Sequence, residues 1–164
     1  MSNNKISICT GVKNRTDRVL PCIKSWLDWE LCDEFILIDW SSDESVQDFL
    51  DTKGYKHPKL KVKRIANKPY YEPSAVNNEA INRCKNDKIL RVDIDYVLKK
   101  PDLFKKIILS IDTDTEFLDG NFCGHLMGIC YFKKDHFIEC GMYDTAFDEG
   151  WSMEDTDFFQ SLTH

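Results

Sequence analysis

An α/β fold, with a mostly parallel central sheet flanked by helices and an irregular second half, is what this sequence predicts. Strand-like and helix-like segments alternate four times between residues 5 and 110, an order that lays successive strands parallel with helical crossovers on both faces. The second strand-like run, EFILID (34–39), is apolar throughout, as a strand covered on both faces must be. Beyond Ser110 the rhythm is lost.

KISICT (5–10) is the first short β-prone run. From Asp17 onward, Val19, Leu20, Ile23, Trp26 and Leu27 recur at helical spacing. Thr16 or Asp17 is the expected cap, with Pro21 near the helix start, where a missing N–H costs least. After EFILID, SSDESVQDFLDTKG puts serine and acidic residues in front and Gly54 behind, the asymmetry of a helix. LKVKRI (60–65) alternates as a third strand, and NKPYYEP (67–73) is a loop carrying Tyr70 and Tyr71. Ser74 opens a helix with Val76, Ala80 and Cys84 on one stripe. KILRVD (88–93) is a fourth strand, and Pro101 begins a helix through Leu103, Phe104, Ile107 and Ile108. LMGICYF (126–132) reads as a further strand, and GWSMEDTDFFQSL as a tight turn entering a helix.

A length of 164 residues suits one domain with a sizeable core. Lys and Arg number 22 against 28 Asp and Glu, a net charge of −6 that argues against a nucleic-acid partner or an anionic membrane. Seven scattered cysteines form no C-x-x-C, so several read as small core residues rather than a zinc or redox site. No leading hydrophobic segment and no apolar run of the ~18–20 residues that span a bilayer are present, which points to a cytoplasmic setting with no transmembrane segment. The chain stops at His164 without an obvious closing element, as a piece of a longer polypeptide does.

In open α/β sheets, ligands gather beyond the carboxyl ends of the strands. TGVKNR (10–15) lies there, with a single glycine and therefore neither a dinucleotide fingerprint nor a phosphate loop. Asp39 ends the second strand, where it either hydrogen-bonds a nucleoside or caps the next helix. Asp93 and Asp95, in VDID, point the same way if the strand continues, and then offer paired oxygens to Mn2+ or Mg2+. Such an ion would neutralise a leaving diphosphate. Alone, each of these residues has an ordinary structural alternative: a helix cap for Asp39, a solvated acidic turn for the aspartate pair.

In order along the chain, these stretches resemble the nucleotide-sugar-dependent glycosyltransferases of the Rossmann-like GT-A fold, particularly the inverting family 2 and the galactosyltransferase-type catalytic region. ISICTGVKNR is similar to their opening strand and turn, with Val12 where an aromatic is common. ILIDWSSDES resembles their DDGSTD or DWSS segment. EPSAVNNEAINRCKNDKILRVDID resembles the asparagine-to-D-x-D stretch, with Glu79 and Ala80 where a glycine is usual. CGMYDTAFDEGWSMEDTDFF (140–159) resembles the Gly-Trp…Glu-Asp segment.

The resemblance implies one catalytic domain over 1–164, with a nucleotide-binding half (1–98) and an acceptor and base half (99–164). Thr10, Gly11, Val12, Asn14, Arg15, Asp39 and Asn78 would bind the nucleotide donor. Asp93 would reach the ribose and the metal-diphosphate, and Asp95 the metal, Mn2+ or Mg2+. Asp155 would be the general base, with Trp151 and Glu154 shaping the acceptor site. The expected partners are a nucleotide-diphosphate sugar, UDP-linked by preference, and a glycan, lipid-linked or protein acceptor.

Physics allows these roles, since a carboxylate beside another tends toward a raised pKa and a better base. The same stretch also suits a helix start, with Ser152 and Asp155 approximating a capping box. Lys13, Arg15, Arg64 and Lys68 are candidates to meet phosphate charge, while His57, His125 and His164 are ordinary. A nucleotidyltransferase and a non-catalytic sugar-nucleotide-binding domain are the rival functions. The first lacks its basic glycine-rich loop, and the second leaves Asp93, Asp95 and Asp155 without a purpose.

Overall fold

Alternation along each strand divides the core between the two faces of one sheet. In the computed structural model, which describes residues 5–120, 128–149 and 153–163, the strands are β1 (Ile6–Val12), β2 (Cys32–Trp40), β3 (Leu60–Ile65), β4 (Lys88–Val92), β5 (Leu118–Asp119) and β6 (Ile129–Lys133). They form a six-stranded sheet in the order β3-β2-β1-β4-β6-β5. The first four pair in parallel, and β6 runs antiparallel to both β4 and β5. The irregular second half therefore extends the sheet with one reversed strand, β6, and an edge strand, β5, that runs with the parallel set.

The helices are α1 (Thr16–Leu27), α2 (Val46–Thr52), α3 (Pro73–Asn82), α4 (Pro101–Ser110), α5 (Lys134–Glu139) and α6 (Glu154–Ser161), with a 3-10 turn over Thr145–Glu149. Ile8, Phe35, Leu37, Leu90, Val92 and Tyr131 face α1, α2 and α4. Cys9, Ile36, Ile38, Ile89, Cys130 and Phe132 face α3, α5 and α6. Among the described residues no helix is long and apolar enough to cross a membrane.

Four local expectations change. Pro21 lies inside α1 rather than near its start. The lost backbone hydrogen bond is tolerated because the same helix buries Val19, Cys22, Ile23, Trp26 and Leu27. Neither Thr16 nor Asp17 caps α1; Arg15 precedes it without a side-chain cap. α3 starts at Pro73, one residue before Ser74, as proline at a first helical position favours. The fourth strand stops at Val92, before the aspartates. Residues 126 and 127, Cys123, His125, Trp151, Ser152 and His164 lie outside the described residues. Of the other cysteines, five are buried, and burial pushes the Cys22 and Cys32 thiols up to about 12, far from thiolate reactivity.

A polar network locks the amino ends of the strands. Buried Glu34 accepts from Ser7 Oγ (2.6 Å), Lys61 Nζ (2.6 Å) and the Lys85 N–H (2.6 Å). Burial opposes ionisation of Glu34, yet these donors outweigh it and its carboxyl sits below the ordinary range. Neighbouring Asp33 is pulled down to about 2, chiefly by its hydrogen bond to Lys85, with Lys5 and Asn86 adding to it. Carboxyls lowered in the folded state contribute stability that is complete above the unfolded value, about 4, and lost as pH falls through the folded one. Thermal melts between pH 5 and 2 are expected to show a steep acid loss, blunted in Glu34→Gln. Equal acid slopes in the two proteins would contradict this assignment.

Candidate active site

Between β1 and β4 the strand order reverses, and the loops leaving their carboxyl ends part to leave a cleft, the position where such sheets bind ligands. Its volume is about 1130 Å3, and Gly11, Val12, Arg15, Arg91, Asp93, Glu154 and Asp155 are among the residues that line it. Residues 67–73 form one rim, and Asp148, Glu149 and Met153 the other. Both predicted halves of the chain therefore meet in a single depression.

Gly11 is required where β1 reaches α3, because a Cβ there would lie 1.9 Å from Val76 Cγ1. The following loop is tied down by its own side chains. Lys13 Nζ donates to the carbonyls of Trp40 (3.1 Å), Ser41 (2.8 Å) and Lys68 (2.7 Å), so all three of its protons are engaged. The Asn14 amide oxygen accepts from the Asp43 N–H at 2.7 Å, and the Asn14 N–H donates to Ser42 Oγ at 3.0 Å. Lys68 pairs with Glu72 and lies over the Trp40 ring. Of the four basic candidates for phosphate, Arg15 alone remains half-exposed at the cleft with a single carboxylate partner, Asp95.

Several predicted donor-site residues carry architectural bonds. Thr10 is buried within β1. Asp39 is also buried, accepting from the Ser42 and Val46 N–H groups (2.9 and 3.2 Å) and from Arg64 Nη1 (2.6 Å). The cap of α2 is Ser45, whose side chain accepts from the Asp48 N–H; Asp39 braces the turn between β2 and that helix. Asn78 exchanges both amide groups with the Tyr143 backbone, at 2.9 and 3.0 Å. Together with Asp148, which accepts from the Ser74 and Ala75 N–H groups, that exchange seats residues 143–149 on α3. None of Thr10, Asn14, Asp39 and Asn78 lines the cleft.

The aspartates of VDID do not share one strand face. The chain turns at once, with the Tyr96 N–H bonded to the Asp93 carbonyl at 3.0 Å. Asp93 lines the cleft and pairs with Arg91 at 2.6 Å, whereas Asp95 pairs with Arg15 at 2.7 Å. Gly128 holds the Asp93 backbone, accepting its N–H at 2.7 Å, and a Cβ on Gly128 would meet Asp93 Oδ2 at 2.2 Å. Among the described residues no three His, Cys, Asp or Glu side chains converge as a metal cluster. Asp93 and Asp95 keep side-chain exposures of 51% and 44%. One or two carboxylates are the protein share that Mg2+ takes when phosphates and water complete its shell. Asp93 lines the cleft and Asp95 is not among its lining residues, so Asp93, with phosphate oxygens and water, is the share this cleft offers a hard cation.

Asp155 stands in the first turn of α6, and Phe158 and Phe159, one turn on, anchor that helix in the core. Met153, the residue before α6, adopts φ 97° and offers no side-chain cap. Burial pushes the Asp155 carboxyl up, Arg91 opposes this, and Asp93 adds to it. Burial is also the main cause of the raised Glu154 carboxyl, with Asp155 a lesser one. The direction expected from adjacent carboxylates holds, with desolvation as its principal source.

Arg91 was not among the predicted site residues, yet it is the centre of this geometry: Nη1 bonds Asp93 Oδ1 at 2.6 Å and Nη2 bonds Asp155 Oδ1 at 2.5 Å. Its signal in the sequence is a charge inside the apolar run KILRVD, which burial forces to find partners. Gly128 and Asp148 carried no comparable signal.

No protein-family profile and no curated protein sequence matches the chain. Solved structures do match its fold. A mannosyltransferase from Pyrobaculum calidifontis, in complex with GDP-Man and Mn2+, superposes with a TM-score of 0.69 at 12% identity, over 86% of this chain and 48% of that one. S. aureus TarS 1–349 gives 0.71 at 14% identity, over 96% and 55%, with the same values for its UDP complex. Glucosyl-3-phosphoglycerate synthase from Mycobacterium tuberculosis, in complex with UDP, gives 0.57 at 13%, over 81% and 58%. These neighbours are GT-A-type glycosyltransferases, and the chain has their fold. It spans about half the length of the solved chains it matches.

Proposed function

We propose that this chain forms the catalytic domain of an inverting, metal-dependent glycosyltransferase that moves a sugar from a nucleotide-diphosphate donor, UDP-linked by preference, to an acceptor hydroxyl. The observation that carries this is the meeting of Asp93 and Asp155 in one cleft at the β1–β4 switch of a GT-A sheet. Fold neighbours in complex with nucleotides, two with UDP and one with GDP-Man and Mn2+, support the donor class.

Gly11, Val12 and Arg15 would line the donor's nucleotide end, and Asp93 and Asp95 would hold Mn2+ or Mg2+. When bound, the cation neutralises charge on the departing diphosphate. Asp155 takes the acceptor proton as the acceptor oxygen attacks the anomeric carbon from the face opposite the diphosphate. The C–O bond to the diphosphate breaks, the new glycosidic bond forms, and the configuration inverts. Glu154 borders the acceptor side, and Trp151, outside the described residues, keeps its proposed place there from the sequence resemblance.

Proton NMR of UDP-glucose turned over by the protein, with water as acceptor, tests the stereochemistry. The β anomer should appear first, and the α anomer appearing first would contradict inversion. Asp95→Ala should lose the Mn2+-dependent part of donor affinity, at least ~10-fold by calorimetry. Unchanged Mn2+ dependence would remove Asp95 from the metal role.

A further inference from the structure

A charged side chain at the centre of a sheet needs a reason. Arg91 lies in β4 opposite Cys9 of β1 and Cys130 of β6, and strand alternation puts it on the same face as Ile89. Its side chain is 3% exposed. The guanidinium divides between two carboxylates from distant segments, Asp93 just after β4 and Asp155 at the start of α6, while Nε has no partner among the described residues. Stability is a poor explanation, because apolar side chains commonly replace buried ion pairs without loss. An apolar residue, however, can neither orient a buried carboxylate nor keep it charged.

We propose that Arg91 is a positioning residue of the transfer reaction, one arm aiming the ionised Asp155 carboxylate into the cleft while the other fixes Asp93 at the donor end. The proposal rests on Asp155 being the base. The groups around Asp155 set the sign of the test. Arg91 and Asp93 approach from β4 and the turn after it, Cys130 from β6, Tyr143 from the segment after α5, Tyr71 from the 67–73 loop and Glu154 from its own helix. Arg91 is the cation of this set, so its loss leaves burial and the neighbouring carboxylates to push Asp155 upward.

The test is a 13C NMR titration of the Asp155 carboxyl, assigned by its absence in Asp155→Asn, in the wild type, Arg91→Lys and Arg91→Gln. The midpoint should rise by roughly one to three pH units in Arg91→Gln and by less in Arg91→Lys, whose point charge cannot fork to two carboxylates. Release of UDP from UDP-glucose should slow about 100-fold in Arg91→Gln, with a rise in donor KM reporting the arm to Asp93 and Arg91→Lys between. In the Asp155→Asn background the Arg91 substitutions should cost clearly less than in the wild type, what remains passing through Asp93. A merely structural Arg91 would lower the melting temperature of these variants and leave the midpoint in place, and that result overturns the proposal. If Arg91→Gln does not fold, Arg91→Lys decides by the same criterion. An unmoved midpoint with donor binding intact removes the role of Arg91 alone, whereas absence of nucleotide-sugar binding by the wild type removes the function, and the role with it.

Discussion

Replacing Asp155 by Asn should abolish sugar transfer while leaving donor binding near that of the wild type. The amide is isosteric, and its oxygen can still accept from Arg91 Nη2, which bonds the carboxylate at 2.5 Å. It cannot take a proton from an attacking hydroxyl. General-base catalysis contributes about 10²–10⁴-fold, so turnover should fall by that factor with a donor Kd changed by less than ~threefold. The wild-type pH profile should agree. Burial raises the Asp155 carboxyl even against Arg91, so the rate should decline as pH falls through that raised value and the base becomes protonated. Wild-type turnover in Asp155→Asn would exclude this residue as the base.

Phe158→Ala should be among the most damaging core substitutions and should reach the chemistry through α6. The Phe158 ring is fully buried, stacked on Tyr143 at 4.2 Å between centroids and edge-on to Phe132 at 5.5 Å and Phe137 at 5.8 Å. Truncating a buried phenylalanine costs about 3–5 kcal/mol, or about 6–20 °C in Tm for a domain near this size. Asp155 is three residues earlier on the same helix, and its placement relies on that seat. Turnover should fall in Phe158→Ala even below its melting temperature, while Phe158→Leu recovers most of both properties. A Phe158→Ala protein with wild-type Tm would mean that α6 is held by something else.

The parallel half of the fold was legible because each strand, EFILID and LKVKRI among them, is a short apolar or alternating run bounded by turn residues. Pro21 misled because a local rule about proline yields to five buried neighbours on one helix. The aspartates misled differently: their expected common face required a strand that ends at Val92, and strand ends depend on pairing with β6, which sequence alone does not display. Within the site, Gly11, Val12, Arg15, Asp93, Glu154 and Asp155 were found from the sequence because motif order preserved their place at strand and helix ends. Asn78 and Asn14 belong to the same stretches but serve neighbouring backbone. Long-range amide clamps such as that from Asn78 to Tyr143 leave no local pattern. Arg91 is the readable signal, a charge set among the buried apolar residues Ile89, Leu90 and Val92 of β4.

Calorimetric titration of the chain with UDP, GDP, UDP-glucose, UDP-galactose and GDP-mannose, each with Mn2+ and with chelator, decides whether this cleft is a nucleotide-sugar site. One nucleotide family should bind, at least ~10-fold more weakly when the metal is removed, because Asp93 and Asp95 would then lack the cation linking them to a diphosphate. Absence of binding by every nucleotide under both conditions would contradict the proposed function.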